Sequence, residues 1–76
     1  MPVELQTLSR SEWELILQEA CYSQIDAQII RGYILDGFAQ ADVSIDLDRD
    51  RKTVYRHLRD RIYPRAKEIA VKLNII

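Results

Sequence analysis

This chain of 76 residues has one cysteine, one histidine, one tryptophan, two glycines and two prolines. Each scarcity excludes something. A lone Cys21 cannot close an internal disulfide, and with no signal peptide this points to a reducing compartment, the bacterial cytoplasm. Cys21 and His57 give no metal-ligand set, so no metal is expected. Neither has a partner of the kind that general acid–base or nucleophilic catalysis needs, so an enzyme is the poorest reading, and no cofactor is implied. Two isolated glycines exclude a glycine-rich phosphate loop. No apolar run approaches the roughly eighteen residues of a membrane span. What remains is a set of long stretches with helical periodicity and no strand-like alternation. The expectation is an all-α fold: one small five-helix domain over residues 1–76 that gains from oligomerisation.

The net charge of −1 conceals a division. Residues 1–48 carry two basic and nine acidic side chains, a net of −7; residues 49–76 carry nine basic and three acidic, a net of +6. A pI near 5.7 argues against nucleic acid for an even charge distribution. Binding, however, responds to local potential, and here the cations are concentrated in one half. The acidic half is expected to face away from any polyanion.

Met1 to Thr7 lacks periodicity and reads as a loose lead-in, with Val3 and Leu5 as residues that could pack on a neighbour. Ser9 and Glu12 have the S-x-x-E spacing of a capping box, with Leu8 and Trp13 placed as a hydrophobic staple, so the first helix starts there. Trp13, Ile16, Leu17, Ala20 and Cys21 form its apolar face through to about Tyr22, which makes Trp13 a core anchor and Cys21 a small buried group. Ser23 and Asp26 repeat the capping arrangement and open a second helix with Ile25, Ile29, Ile30, Tyr33 and Ile34 inward. Gly37 ends it as a left-handed cap. Gly32, inside this helix, implies a close helix crossing.

From Gln40 to about Arg61 the pattern is that of a helix-turn-helix. Val43 and Leu47 define a short helix, with small residues Ala41 and Ser44 where another helix can cross. Asp48 to Asp50 form the turn. Val54, Leu58 and Ile62 recur every four positions on a second helix that Asp50 is placed to cap. With that stripe inward, Arg51, Lys52, Tyr55 and Arg56 face outward at the front of the helix, and are the candidates for reading base edges in a major groove. Arg59, Arg61 and Arg65, with Gln40 and Thr53 near helix N-termini, are the candidates for phosphate contacts. His57 is expected to be half-buried beside Leu58.

The ordered series Arg31-Gly32, Asp36-Gly37, Gln40-Ala41, Leu47 and Arg51 to Val54, preceded by Leu8-Ser9 and Trp13, resembles the DNA-binding domain of the KorA (TrfB-related) plasmid transcriptional repressors. The resemblance spans about Leu8 to Tyr63. It implies a helix-turn-helix repressor that occupies operator DNA as a dimer. Asp48 stands where a turn glycine is common in that family, and Arg49 where an apolar residue is usual.

Tyr63-Pro64 is expected to mark a break or kink before a fifth helix of about residues 65–74. Ala66, Ile69, Ala70 and Leu73 give it one apolar face. Val71, Ile75 and Ile76 lie off that face and, with Leu73 shared, are the candidate contact of a two-fold homodimer, the alternative being a frayed tail. Double-stranded DNA is thus the expected partner, and a sequence-specific repressor the leading function. The alternative is a protein-interaction module that docks on polymerase or another regulator through the acidic half.

Overall fold

Apolar residues spaced three and four apart wind a regular α-helix, because 3.6 residues complete a turn. Strict four-residue spacing does not: each step overshoots by about 40°, so an α-helical stripe drifts around its own axis. The chain contains both patterns, and its computed structural model, which describes residues 1–76, responds to each differently.

Five helices follow one another without a strand. Helix α1 is the single turn Val3–Gln6, and α2 is Arg10–Ala20, with Trp13, Ile16 and Ala20 buried at regular spacing. Helix α3 spans 24–35, α-helical over Gln24–Ile29 and π-helical over Ile30–Leu35. Helix α4 is Gln40–Asp46. Helix α5 spans 51–72 without interruption: α-helical over Arg51–His57, π-helical over Leu58–Ile62 and α-helical again over Tyr63–Lys72. Both π segments fall where the spacing is four. Val54, Leu58, Ile62 and Ala66 are each at most 1% exposed, although three successive four-residue steps would swing an α-helical stripe by about 120°. The wider i→i−5 turn holds more residues per revolution and cancels that drift. In α3 the pairs Ile25/Asp26, Ile29/Ile30 and Tyr33/Ile34 repeat at the same interval.

Two expectations are corrected here. Pro64 does not break the chain; it sits in the first turn after the π segment, inside α5. Proline removes one donor and crowds the carbonyl of the preceding turn, a conflict that the enlarged turn relieves. The expected fourth and fifth helices are therefore one helix. Met1 to Thr7 is not a loose lead-in: α1 packs on the rear of α5 and buries Leu5 to 1% exposure. Five helices stand as expected, with these boundaries.

The helix ends are held by specific caps. Ser9 Oγ accepts from the Glu12 N–H at 3.2 Å and the Glu12 carboxylate accepts from the Ser9 N–H at 2.9 Å, completing the capping box. Ser23 Oγ likewise accepts from the Asp26 N–H, but the Asp26 carboxylate turns inward instead of returning. Asp50 occupies the N-cap position of α5 with extended backbone, yet its side chain makes no capping hydrogen bond. Helix α2 stops at Ala20, short of Tyr22, because Cys21 adopts the left-handed conformation (φ 52°). That residue is exposed rather than buried, since a left-handed cap directs the chain off the core. Gly37 (φ 75°) ends α3 as expected.

The core is a single cluster centred on Ile16, Ile29, Ile30, Leu58 and Ile62. No helix is long and apolar enough to cross a membrane.

Candidate nucleic-acid interface

The turn between α4 and α5 sets how the front of α5 is presented. The Arg49 N–H donates to the Ser44 carbonyl at 2.9 Å and the Asp48 N–H to the Ile45 carbonyl at 3.1 Å, while Asp48 lies in the left-handed region (φ 54°). This is a Schellman cap with aspartate in the place usually taken by glycine. Aspartate tolerates that conformation better than other side chains. The residue that follows such a cap is commonly apolar; here it is Arg49, which is exposed.

After this turn Arg51, Lys52, Tyr55 and Arg56 are all exposed, as expected of an outward face. Gln40, the first residue of α4, lines one shallow groove together with Arg51, Lys52 and Tyr55. Three of the four expected base-reading residues therefore meet one of the expected phosphate contacts. Arg49, Arg51, Lys52 and Arg56 have no carboxylate within 4 Å, whereas Arg59, Arg61, Arg65 and Lys67, further along α5, each face one.

Those pairings separate the expected phosphate set. Arg59 donates to both oxygens of Asp60, at 2.7 and 3.0 Å, and lies 5.5 Å from the Tyr55 ring centroid as a cation–π contact. Its hydrogen bonds, reinforced by charge, hold the Asp60 carboxyl below the usual carboxylate range. Both groups are exposed, and such pairs are weak and open to exchange, so Arg59 stays available. Arg61 Nε faces Asp26 at 3.7 Å. Arg65 does not join this face: its Nε donates to the Ala20 carbonyl at the end of α2, and Nη1 to Glu68, each at 3.4 Å. It is a cation on a helix C-terminus. Thr53, half-buried, lines a depression over the turn with Ser44, Ile45 and Asp48 to Asp50.

No family model matches the chain, and no curated protein or solved structure matches it. The functional reading of this face rests on its own residues.

Two features escaped sequence reasoning. Arg49 has only a turn position in the sequence pattern, yet it adds a free cation near Arg51. Asp26 is 3% exposed and receives His57 Nδ1 at 2.6 Å. The available signal was an acid between Ile25 and Ile29 on an apolar stripe, a place that a carboxylate occupies only with a partner. Nearby, Tyr22 Oη donates to the Ile62 carbonyl at 2.7 Å; burial first, and the charge of Asp26 second, hold its phenol well above the ordinary range. Burial likewise pushes the Tyr63 phenol up to about 12.

The expected dimer set also divides. Leu73 and Ile75 pack against the chain's own core, because a second Schellman cap folds the tail back: the Ile75 N–H donates to the Ala70 carbonyl at 2.8 Å, with Asn74 left-handed (φ 59°). Val71 and Ile76 remain exposed.

Proposed function

We propose that this protein is a sequence-specific binder of double-stranded DNA that regulates transcription, acting as a repressor by occupying its operator. In this reading α4, the Asp48 turn and the front of α5 form a helix-turn-helix. Arg51, Lys52, Tyr55 and Arg56 read base edges, while Gln40, Thr53, Arg49 and Arg59 hold the phosphate backbone. The observation that carries it is the group of four unpaired, exposed cations, Arg49 in the turn and Arg51, Lys52 and Arg56 at the front of α5. Cations kept free of internal carboxylates in a chain of net charge −1 are suited to a polyanion that displaces counterions rather than side chains. One such helix covers only a few base pairs, so the reading includes a homodimer that uses exposed Val71 and Ile76, in the cytoplasm of a bacterium, as for the KorA-like repressors it resembles. Selection of bound sequences from a random duplex pool tests this. An enriched palindrome with half-sites about 10 base pairs apart is expected; a pool without enrichment overturns it.

A second reading is favoured by one observation. Ile45 is 74% exposed on α4, flanked by exposed Asp42 and Asp46, a surface suited to a basic protein partner. Retention on heparin separates the two, since a clustered basic face is held and an acidic docking module is not.

A further inference from the structure

Helix α5 is gripped from α3 at its π turn. The carboxylate of Asp26 directs Oδ1 to His57 Nδ1 at 2.6 Å and Oδ2 toward Arg61 Nε at 3.7 Å. His57 stands just before the π turn and Arg61 within it. Its last residue, Ile62, is held through its carbonyl by the Tyr22 hydroxyl. The Asp26 side chain is 4% exposed and His57 21%, so that arm is shielded from water, whereas Arg61 is 60% exposed and adds a longer charge contact from the solvent side.

A π turn is an α-helical turn with one residue inserted, and such insertions can be lost or can migrate. The two alternatives differ by one residue of register, which rotates the helix before the turn relative to the helix after it by about 100°. The rear half of α5 is anchored by Ala66, Ile69 and Ala70, so a change of register would turn the front half, with Lys52 and Arg56 on it. Whatever pins the π turn therefore aims the reading side chains.

We propose that Asp26 is a positioning residue for the reading face: by gripping His57 and Arg61 across the π turn it fixes the rotational register of the front of α5 and the direction in which Lys52 and Arg56 point. The inference rests on the DNA-binding reading for its consequence, and on the geometry of α3 and α5 for its cause.

The test uses the whole chain and two readouts. Amide hydrogen exchange of residues 51–62 is measured on the free protein, and affinity is measured for the duplex enriched by selection and for a random duplex of equal length. In Asp26→Asn the exchange protection of 58–62 falls and selectivity drops about tenfold while random-duplex affinity holds. A purely structural loss would weaken both duplexes together. His57→Asn, which places an amide nitrogen where Nδ1 stands, keeps the selectivity, and His57→Leu loses it. Should Asp26→Asn fail to fold, His57→Leu and Arg61→Gln each remove one arm and answer through the same readouts. Unchanged protection together with unchanged selectivity in these variants overturns the proposal. A wild type without duplex selectivity overturns the DNA-binding reading instead, and protection in the free protein then decides whether the clamp fixes the register.

Discussion

A methyl group added to Gly32 would lie 3.1 Å from Cγ2 of Val43. That contact brings α3 against α4, and Val43 is both buried and β-branched, hence stiff in a helix. Replacing glycine by alanine inside a helix normally gains about 1 kcal/mol. Here overpacking of about 1–3 kcal/mol opposes the gain. Gly32→Ala is expected to lower the thermal midpoint, and adding Val43→Ala to recover part of the loss; a higher midpoint for the single variant would show that the crossing yields freely.

The left-handed turn residue supplies a second test. Asp48 at φ 54° holds a conformation that glycine adopts without strain, so Asp48→Gly is expected to stabilise by up to about 1 kcal/mol, and Asp48→Val to destabilise by about 1–2 kcal/mol. Thermal melts of both variants decide it. The same order in DNA affinity is expected only if the turn frays in the free protein.

Leu58 is 1% exposed at the start of the π turn. Leu58→Ala is expected to cost about 2–5 kcal/mol, a large part of the stability of so small a domain. A urea titration followed by circular dichroism measures it.

Among the cations, position separates the roles. Arg51→Ala or Arg56→Ala is expected to cost about 1–3 kcal/mol on the selected duplex and to relax selectivity at one base pair. Arg65, bonded to Ala20 and Glu68, is expected to leave the salt dependence of binding unchanged when replaced by alanine, and to lower stability by about 0.3–1 kcal/mol through loss of the α2 C-terminal contact. Binding isotherms at several salt concentrations distinguish these outcomes.

Acid acts at the N-terminal turn. A hydrogen bond from its own backbone, then one from Lys67, lowers the Glu4 carboxyl below its ordinary 4.5. A depressed folded value means that the contribution is present above 4.5 and is lost as pH falls through the lower folded value. Protection of the Leu5 amide, taken relative to its intrinsic exchange rate at each pH, should therefore fall below that point in the wild type. In Glu4→Gln that protection should already be slightly lower at neutral pH and should show no further step near the Glu4 titration.

Sequence reasoning succeeded where the decisive forces are local. Ser9 and Glu12 cap α2, Gly37 ends α3, and Trp13 is buried, because each outcome depends on neighbours within a turn. It failed where distant parts of the chain decide. Leu5 is apolar in a segment too short for periodicity, and only the rear of α5 makes it core. Pro64 by itself signals a break or kink, although the four-residue spacing of Val54, Leu58, Ile62 and Ala66 runs straight past it and fits an enlarged turn. The outward residues Arg51, Lys52, Tyr55 and Arg56 were readable from that same stripe. The pairing of Arg61 and the docking of Arg65 were not, because their partners, Asp26 and Ala20, lie 35 and 45 positions away along the chain.

The continuity of α5 makes it a lever. Arg51 and Val71 sit on one rod, twenty residues and thus about 30 Å apart at 1.5 Å per residue. A tilt of about 10° at the Val71 end would carry Arg51 through about 5 Å, roughly one and a half steps along a DNA strand. A pair of chains joined at that end would act as calipers, with the span between their tips set by the packing of a few apolar side chains at the far end.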